Sequence, residues 1–254
     1  YDADNGVSKW SFFNQEGNRS MNQENRYKTV ALLPMKANSE RVKGKNFRIF
    51  AGRPLFRWIL NSLLEVEEID QIIINTDARH ILEDNGLVNT DRILIRDRRE
   101  EICGDFVSMN KIIEDDLENV DADHYLMTHT TNPLLSSDSI TEALKAYHAG
   151  LKSGKDSLFT VNNFQTRFYR GDGSAVNHDP DNLIRTQDLE TWYEENSNLY
   201  IFSRSSFAQT HARIGKNPVL FETPRTESAD IDDQIGWKMA EIYALSQQIF
   251  KAHY

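Results

Sequence analysis

Tyr27-Lys-Thr-Val-Ala-Leu-Leu-Pro-Met35 runs directly into Lys36-Ala-Asn-Ser-Glu-Arg-Val-Lys-Gly-Lys-Asn46, and this junction decides the fold. The apolar part, Thr29–Met35, is too short for a buried helix and reads as a buried strand that empties into a charged loop. Pro54–Glu67 comes next as a helix, with Pro54 in the first turn and Leu55, Trp58, Ile59 and Leu63 at helical spacing. The same rhythm recurs along the chain. Strands are expected at Ile72–Asn75, Ile93–Ile95, Tyr125–Thr128, Leu158–Val161 and Leu199–Phe202, and helices at Ala78–Asp84, Phe106–Leu117, Asp138–Ala149 and Asp233–Leu245. Alternating βα units of this kind predict an α/β fold: a mostly parallel, doubly wound sheet with helices on both faces.

Composition narrows the functional classes. The net charge is −10, from 29 basic and 39 acidic residues, which argues against a broad basic surface for nucleic acid. An anionic ligand must therefore meet a local basic cluster. Cys103 is the only cysteine, so an intramolecular disulfide and a multi-thiolate metal cage are both excluded. The apolar runs fall far short of a membrane span of roughly 20 residues, and a cytoplasmic location is expected. Residues 1–26 are polar and aperiodic. With Met21 as a native start, Tyr1–Ser20 reads as added sequence; otherwise residues 1–26 are a polar N-terminal arm before an α/β domain over 27–254.

Ligands of open α/β sheets sit at the carboxyl ends of the strands, so the segments after the apolar runs carry the chemistry. The first, Lys36–Asn46, holds Lys36, Arg41, Lys43 and Lys45 against one acid, Glu40. Such a loop suits a polyphosphate, although a solvated basic loop has the same composition. It is neither a P-loop nor a GxGxxG turn. Further on, Glu227-Ser-Ala-Asp-Ile-Asp-Asp233 places Asp230 and Asp232 on one face if the segment is extended, with Ile231 turned into the core. Two hard oxygen ligands suit Mg²⁺ shared with substrate phosphates; an acidic cap for the following helix is the other reading.

Taken in order, these segments resemble the CMP-sialic acid synthetases, or acylneuraminate cytidylyltransferases. Lys36–Asn46 is similar to that family's Arg-x-x-Ser-Lys-x-x-Pro-x-Lys-Asn, and Ala51-Gly-Arg-Pro-Leu55 to its Gly-Lys-Pro-Leu. The resemblance continues through Asn75-Thr-Asp77, Arg98–Asp105, Thr131-Asn-Pro-Leu134, Arg185-Thr-Gln-Asp-Leu189 with Tyr193 and Asn196, and Asp230-Ile-Asp232 with Ala240-Glu241.

The resemblance implies a Rossmann-like nucleotidyltransferase fold. It also implies a Mg²⁺-dependent transferase of polysaccharide biosynthesis, in which CTP and a 2-keto sugar acid, sialic or a related nonulosonic acid, give CMP-sugar and pyrophosphate. Lys45 and Asn46 are then catalytic. Lys36, Ser39, Arg41, Asp77 and Arg98 bind the nucleotide, His129, Arg185 and Gln187 face the sugar, and Asp230 and Asp232 hold the metal. For Arg185 the chemical reason is the sugar carboxylate, which a guanidinium grips in a bidentate way.

Five positions depart from the pattern. Lys36 replaces an Arg, Glu40 stands where a basic residue is common, and His129 stands where many members carry Gln. Gly236 takes the place of a further Asp, and Ser197 replaces the Gly after Asn196. The irregular, aromatic stretch Asn163–Asn196 corresponds to that family's small dimerisation lobe, so a homodimer is implied; a long lid on a monomer is the other reading. A non-catalytic nucleotide-sugar binding module and a nucleotidyltransferase for another sugar such as KDO complete the functional alternatives.

Overall fold

The computed structural model describes residues 26–37 and 42–253, the last five for their backbone only. The N-terminal arm and the predicted site residues Ser39 and Arg41, with Glu40 between them, therefore lie outside the described residues. Strand β1 (Thr29–Leu32) is followed by a small hairpin of β2 (Ile49–Phe50) and β3 (Arg53–Pro54), then α1 (Leu55–Glu65), β4 (Gln71–Thr76), α2 (Arg79–Asp84) and β5 (Ile93–Asp97). Next come α3 (Met109–Asn119), β6 (His124–Thr128), α4 (Ser137–Leu151), β7 (Ser157–Phe164), β8 (Trp192–Phe202), α5 (Arg204–Thr210), β9 (Pro218–Glu222) and α6 (Gln234–His253).

Seven strands form one sheet in the order β5-β4-β1-β6-β8-β7-β9. Six run parallel; β8 runs against its neighbours β6 and β7. Alternation along the strands feeds two cores, as the pleat requires. Ala31, Ile72, Ile74 and Leu126 face α1 and α4 through Phe56, Ile59, Leu63, Ile140 and Tyr147. Val30, Leu32, Ile73, Tyr125 and Met127 face α3 and α5 through Ile113, Leu117 and Phe207. The predicted doubly wound sheet is thus present, and each fully buried aliphatic side chain in it contributes about 1.5–3 kcal/mol. Among the described residues, no helix is long and apolar enough to cross a membrane.

The elements differ from expectation mainly at their ends, each for a local reason. Beyond Leu32, β1 keeps pairing through Leu33 and Met35, whose N–H groups reach Ile73 and Asn75 carbonyls at 2.8 and 3.0 Å; Pro34 between them has no N–H to give. Helix α3 starts at Met109 and not at Phe106, because Ser108 caps it by accepting from the Asn110 N–H. The hairpin β2–β3, helix α5 and strand β9 are additions; their apolar runs are too short to show a period. The expected irregular stretch Asn163–Asn196 is strand at both ends, since β7 and β8 pair as far as Phe164 and Trp192. Only residues 165–191 between them lie outside the sheet, with Phe168 stacked on Trp192 at 5.4 Å.

Ser197 sits in this antiparallel pair where the register shifts, with φ at +57°. A left-handed backbone favours glycine, which explains why the resembled family places Gly here. Ser197→Gly is expected to stabilise the protein by about 1 kcal/mol, less whatever the Ser197 contact to the Tyr200 hydroxyl contributes; urea unfolding of both proteins measures it.

Candidate functional site

Parallel strands bring the loops after β1, β4, β5 and β6 to one end of the sheet, and a cavity of about 390 Å³ opens there. Its walls include Met35, Lys36, Lys45, Asn46, Arg98, Asp105, His129, Thr130, Thr131 and Asp232. That volume lies within the usual range for small-molecule sites, roughly 300–1,000 Å³.

The floor is a set of backbone clamps. Lys45 and Asn46 lie in a single 3₁₀ turn, Lys45–Phe47, entered through Gly44 at φ +63°. Both are buried, an uncommon setting for lysine. Lys45 Nζ donates to the Ile231 carbonyl at 2.8 Å, and the Ile231 N–H donates to the Thr131 carbonyl at 3.0 Å. Asn46 is engaged at both ends of its amide: Nδ2 donates to the Lys36 carbonyl at 2.9 Å and Oδ1 accepts from Thr130 Oγ1 at 2.7 Å. Ile231 is fully buried with Val42, Phe50, Leu55, Trp237 and Ala240. Two predicted motifs meet in the same cluster, since Glu241 accepts the Ala51 N–H at 2.9 Å.

Asp230 and Asp232 flank Ile231 and are exposed, while Ile231 points inward, as expected of an extended segment; they belong to no strand. Asp232 lines the cavity. Asp233 has a different job: its Oδ1 accepts the Ile235 and Gly236 N–H groups at 2.9 and 2.7 Å, capping α6. The two carboxylates beside a basic cavity have the right chemistry for a hard cation shared with ligand phosphates. Among the described residues there is no cluster of three or more metal-ligating side chains.

Arg98, at the end of β5, forms one wall. Its Nε donates to Asn75 Oδ1 at 2.9 Å, and its Nη2 to the Asn75 and Met35 carbonyls at 2.8 and 3.1 Å. The Asn75 amide in turn donates to Asp116 Oδ1 at 2.8 Å and Asp115 Oδ2 at 3.1 Å. Both aspartates are buried, paired with Arg96, and Asp115 also with Arg99 at 2.8 Å. Burial holds the Asp116 carboxyl up at about 6, against the pull of Asn75 and Arg96. Lys36 pairs with Asp105 across the cavity mouth. Asp77 lies outside the cavity, where its carboxylate accepts the Ala37 N–H at 2.7 Å and steadies the loop after β1; it lines a neighbouring cleft with Arg79 and His80.

His129 lines the same cavity. Burial first, then the cations Arg213 and Lys45, push its pKa down to about 3, so the ring is neutral at ordinary pH. Arg213 lies 3.3 Å from its Nε2. Nothing in the stretch Ala212-Arg213-Ile214 marks this residue, because the turn after α5 carries it to the site. Arg185 and Gln187 are not brought to the cavity within this chain. Arg185 is exposed just before the turn Thr186–Asp188 and makes two bonds, 2.7 and 3.0 Å, to Asp188 three residues on.

A family model described as cytidylyltransferase matches residues 30–238. The N-acylneuraminate cytidylyltransferase of Oncorhynchus mykiss is 27% identical over 220 residues, which is 84% of this chain and 49% of that protein. The pseudaminic acid cytidylyltransferase of Campylobacter jejuni is 22% identical over 216 residues, 81% of this chain and 91% of that protein. This chain thus spans about half the length of the first relative and nearly all of the second. In structure it is similar to 4-diphosphocytidyl-2C-methyl-D-erythritol synthase from Anaerococcus prevotii, with a TM-score of 0.62 and 13% identity over 85% of this chain and 96% of that one.

Asn75→Ala removes the amide that joins Arg98 to the buried aspartates. It is expected to cost about 1–3 kcal/mol, the penalty for leaving buried polar groups unpaired, measured by urea unfolding at pH 7.5.

Proposed function

The chain belongs to the cytidylyltransferase family, and from that premise we propose that it joins the CMP part of CTP to the anomeric hydroxyl of a nine-carbon 2-keto sugar acid, releasing pyrophosphate. The relatives named for N-acylneuraminate and pseudaminic acid support that acceptor class. One observation carries the reading: in a chain of net charge −10, Lys36, Lys45 and Arg98 converge on a single cavity that Asp232 also lines.

The sugar oxygen attacks the α-phosphorus and the bond to the β-phosphate oxygen breaks, so the protein's task is alignment and charge neutralisation. Lys45, held by the Ile231 carbonyl, presents its ammonium to phosphate oxygens. Lys36 adds charge at the mouth, and Arg98 forms the fixed wall for the nucleotide. Asn46 acts by tying the Lys36 backbone carbonyl to Thr130. Asp230 and Asp232 would hold Mg²⁺ together with triphosphate oxygens, and the cation would neutralise charge on the phosphates. Gly236 leaves this pair without the further carboxylate of its resembled family, so cation affinity is expected to depend on CTP.

Pyrophosphate release from CTP with a panel of sialic, pseudaminic and legionaminic-type acids tests the reading, with KDO and the other nucleoside triphosphates as controls. Lys45→Ala is expected to lower kcat by about 10²–10³, the usual loss for one oriented donor. Asp230→Asn and Asp232→Asn are expected to raise the Mg²⁺ requirement; Asp233→Asn, whose amide oxygen still caps α6, should leave that requirement alone. No turnover with any acid, or the same Mg²⁺ dependence in all three variants, would count against it.

The stretch that joins β7 to β8 and the start of β8 carry exposed Tyr169, Leu183, Ile184, Trp192 and Tyr193, apolar surface that a second copy of the chain would cover. A homodimer built on this face is expected, and Arg185 and Gln187 would reach a sugar only across it. Light scattering at micromolar concentration should give the dimer mass, and Trp192→Asp with Tyr193→Asp should give the monomer.

A further inference from the structure

The contact between Arg213 and His129 constrains a proton. A guanidinium has donors and no acceptor, so Arg213 Nη1, 3.3 Å from His129 Nε2, can bond to it only if Nε2 carries the lone pair. A neutral ring then bears its proton on Nδ1. Burial and the two cations Arg213 and Lys45 keep the ring neutral, so the alternative of a doubly protonated imidazolium is suppressed.

Arg213 is itself fixed. Its guanidinium carbon lies 3.8 Å from the centre of the Tyr200 ring, and its Nη2 is 3.6 Å from Glu195. The Tyr200 hydroxyl donates to that same Glu195 carboxylate. Both partners sit on β8, so the strand that runs against the rest of the sheet serves as the backing for the cation. Arg213 also lines a second cavity of about 290 Å³ with Ser108, Met109, Asn110 and Glu195, and Met109 is shared with the main cavity. The pair therefore stands where the two cavities adjoin.

We propose that Arg213 is a positioning and specificity residue: it locks His129 as the neutral Nδ1–H tautomer, leaving the ring one donor and no spare acceptor for the second substrate. A glutamine, common at this position in the resembled family, offers both a donor and an acceptor. The locked histidine offers a donor alone, so it selects an accepting oxygen on the sugar acid, a carboxylate or an acyl carbonyl. The identity of that substrate rests on the function proposed above; the tautomer does not.

The two parts are tested separately. Proton–nitrogen correlation spectra of histidine-labelled protein, with His129 identified by its loss in His129→Gln, should show an Nδ1–H ring in the wild type. Arg213→Lys, which keeps a donor, should retain it; Arg213→Ala should convert it to the Nε2–H form or a mixture, with the melting temperature recorded for each. An Nε2–H ring in the wild type, or an unchanged ring in a folded Arg213→Ala, overturns the lock. In the pyrophosphate assay, Arg213→Ala should raise KM for the sugar acid at least tenfold and leave KM for CTP within twofold. In a His129→Gln background the same change should cost less than threefold, because an amide needs no tautomer fixed. Equal losses in both backgrounds would overturn the specificity role. Absence of wild-type turnover beside an Nδ1–H ring would uphold the lock and count against the proposed function instead.

Discussion

The candidate site depends on one buried residue, Ile231. Its side chain is anchored in the cluster of Phe50, Leu55 and Trp237, so its backbone has little freedom. Its N–H is tied to Thr131, and its carbonyl receives Lys45. A segment outside any strand thereby acquires a fixed position between the loop after β6 and the loop after β1. The exposed carboxylates on either side, Asp230 and Asp232, inherit that position. Lys45 inherits it as well, because a buried ammonium without a hydrogen-bond acceptor would be costly.

A second constraint works from behind. Arg98 meets the Asn75 side chain and two backbone carbonyls, and Asn75 rests on the buried Asp115–Asp116 pair. The pair is held in turn by Arg96 and Arg99. This alternation of donors and acceptors satisfies most of its buried polar groups; Asp116 Oδ2 is left without a protein partner. Charge in the cavity wall is therefore supported by charge in the core, and a cavity wall with basic side chains can exist in a chain whose overall charge is negative.

Two kinds of side chain meet in the cavity. Lys36 and Lys45 bring cations suited to phosphates, and His129 brings a neutral imidazole backed by Arg213 and the β8 pair Glu195 and Tyr200. Strand β8 comes late in the chain and runs antiparallel, so it delivers Glu195, beside Arg213, to the end of the sheet where the early βα units build the site. Had all seven strands been parallel, Glu195 would lie at the far end of the sheet from His129.

Local signals in the sequence determined the alternation of strands and helices, because apolar periodicity acts over a few residues. They also marked the basic loop after the first apolar run and the i, i+2 pair Asp230/Asp232, whereas His129 was marked through the resemblance. Tertiary structure alone decided which of the marked residues meet. Lys45, Arg98, His129 and Asp232 share one cavity; Asp77 became a support for the loop, and Arg185 closed on Asp188 outside it. The backing residues Asn75, Asp115, Asp116 and Arg213 acquire their roles through contacts 23 to 84 positions away in the chain. No local pattern encodes such contacts, since they follow from the order in which the strands stack.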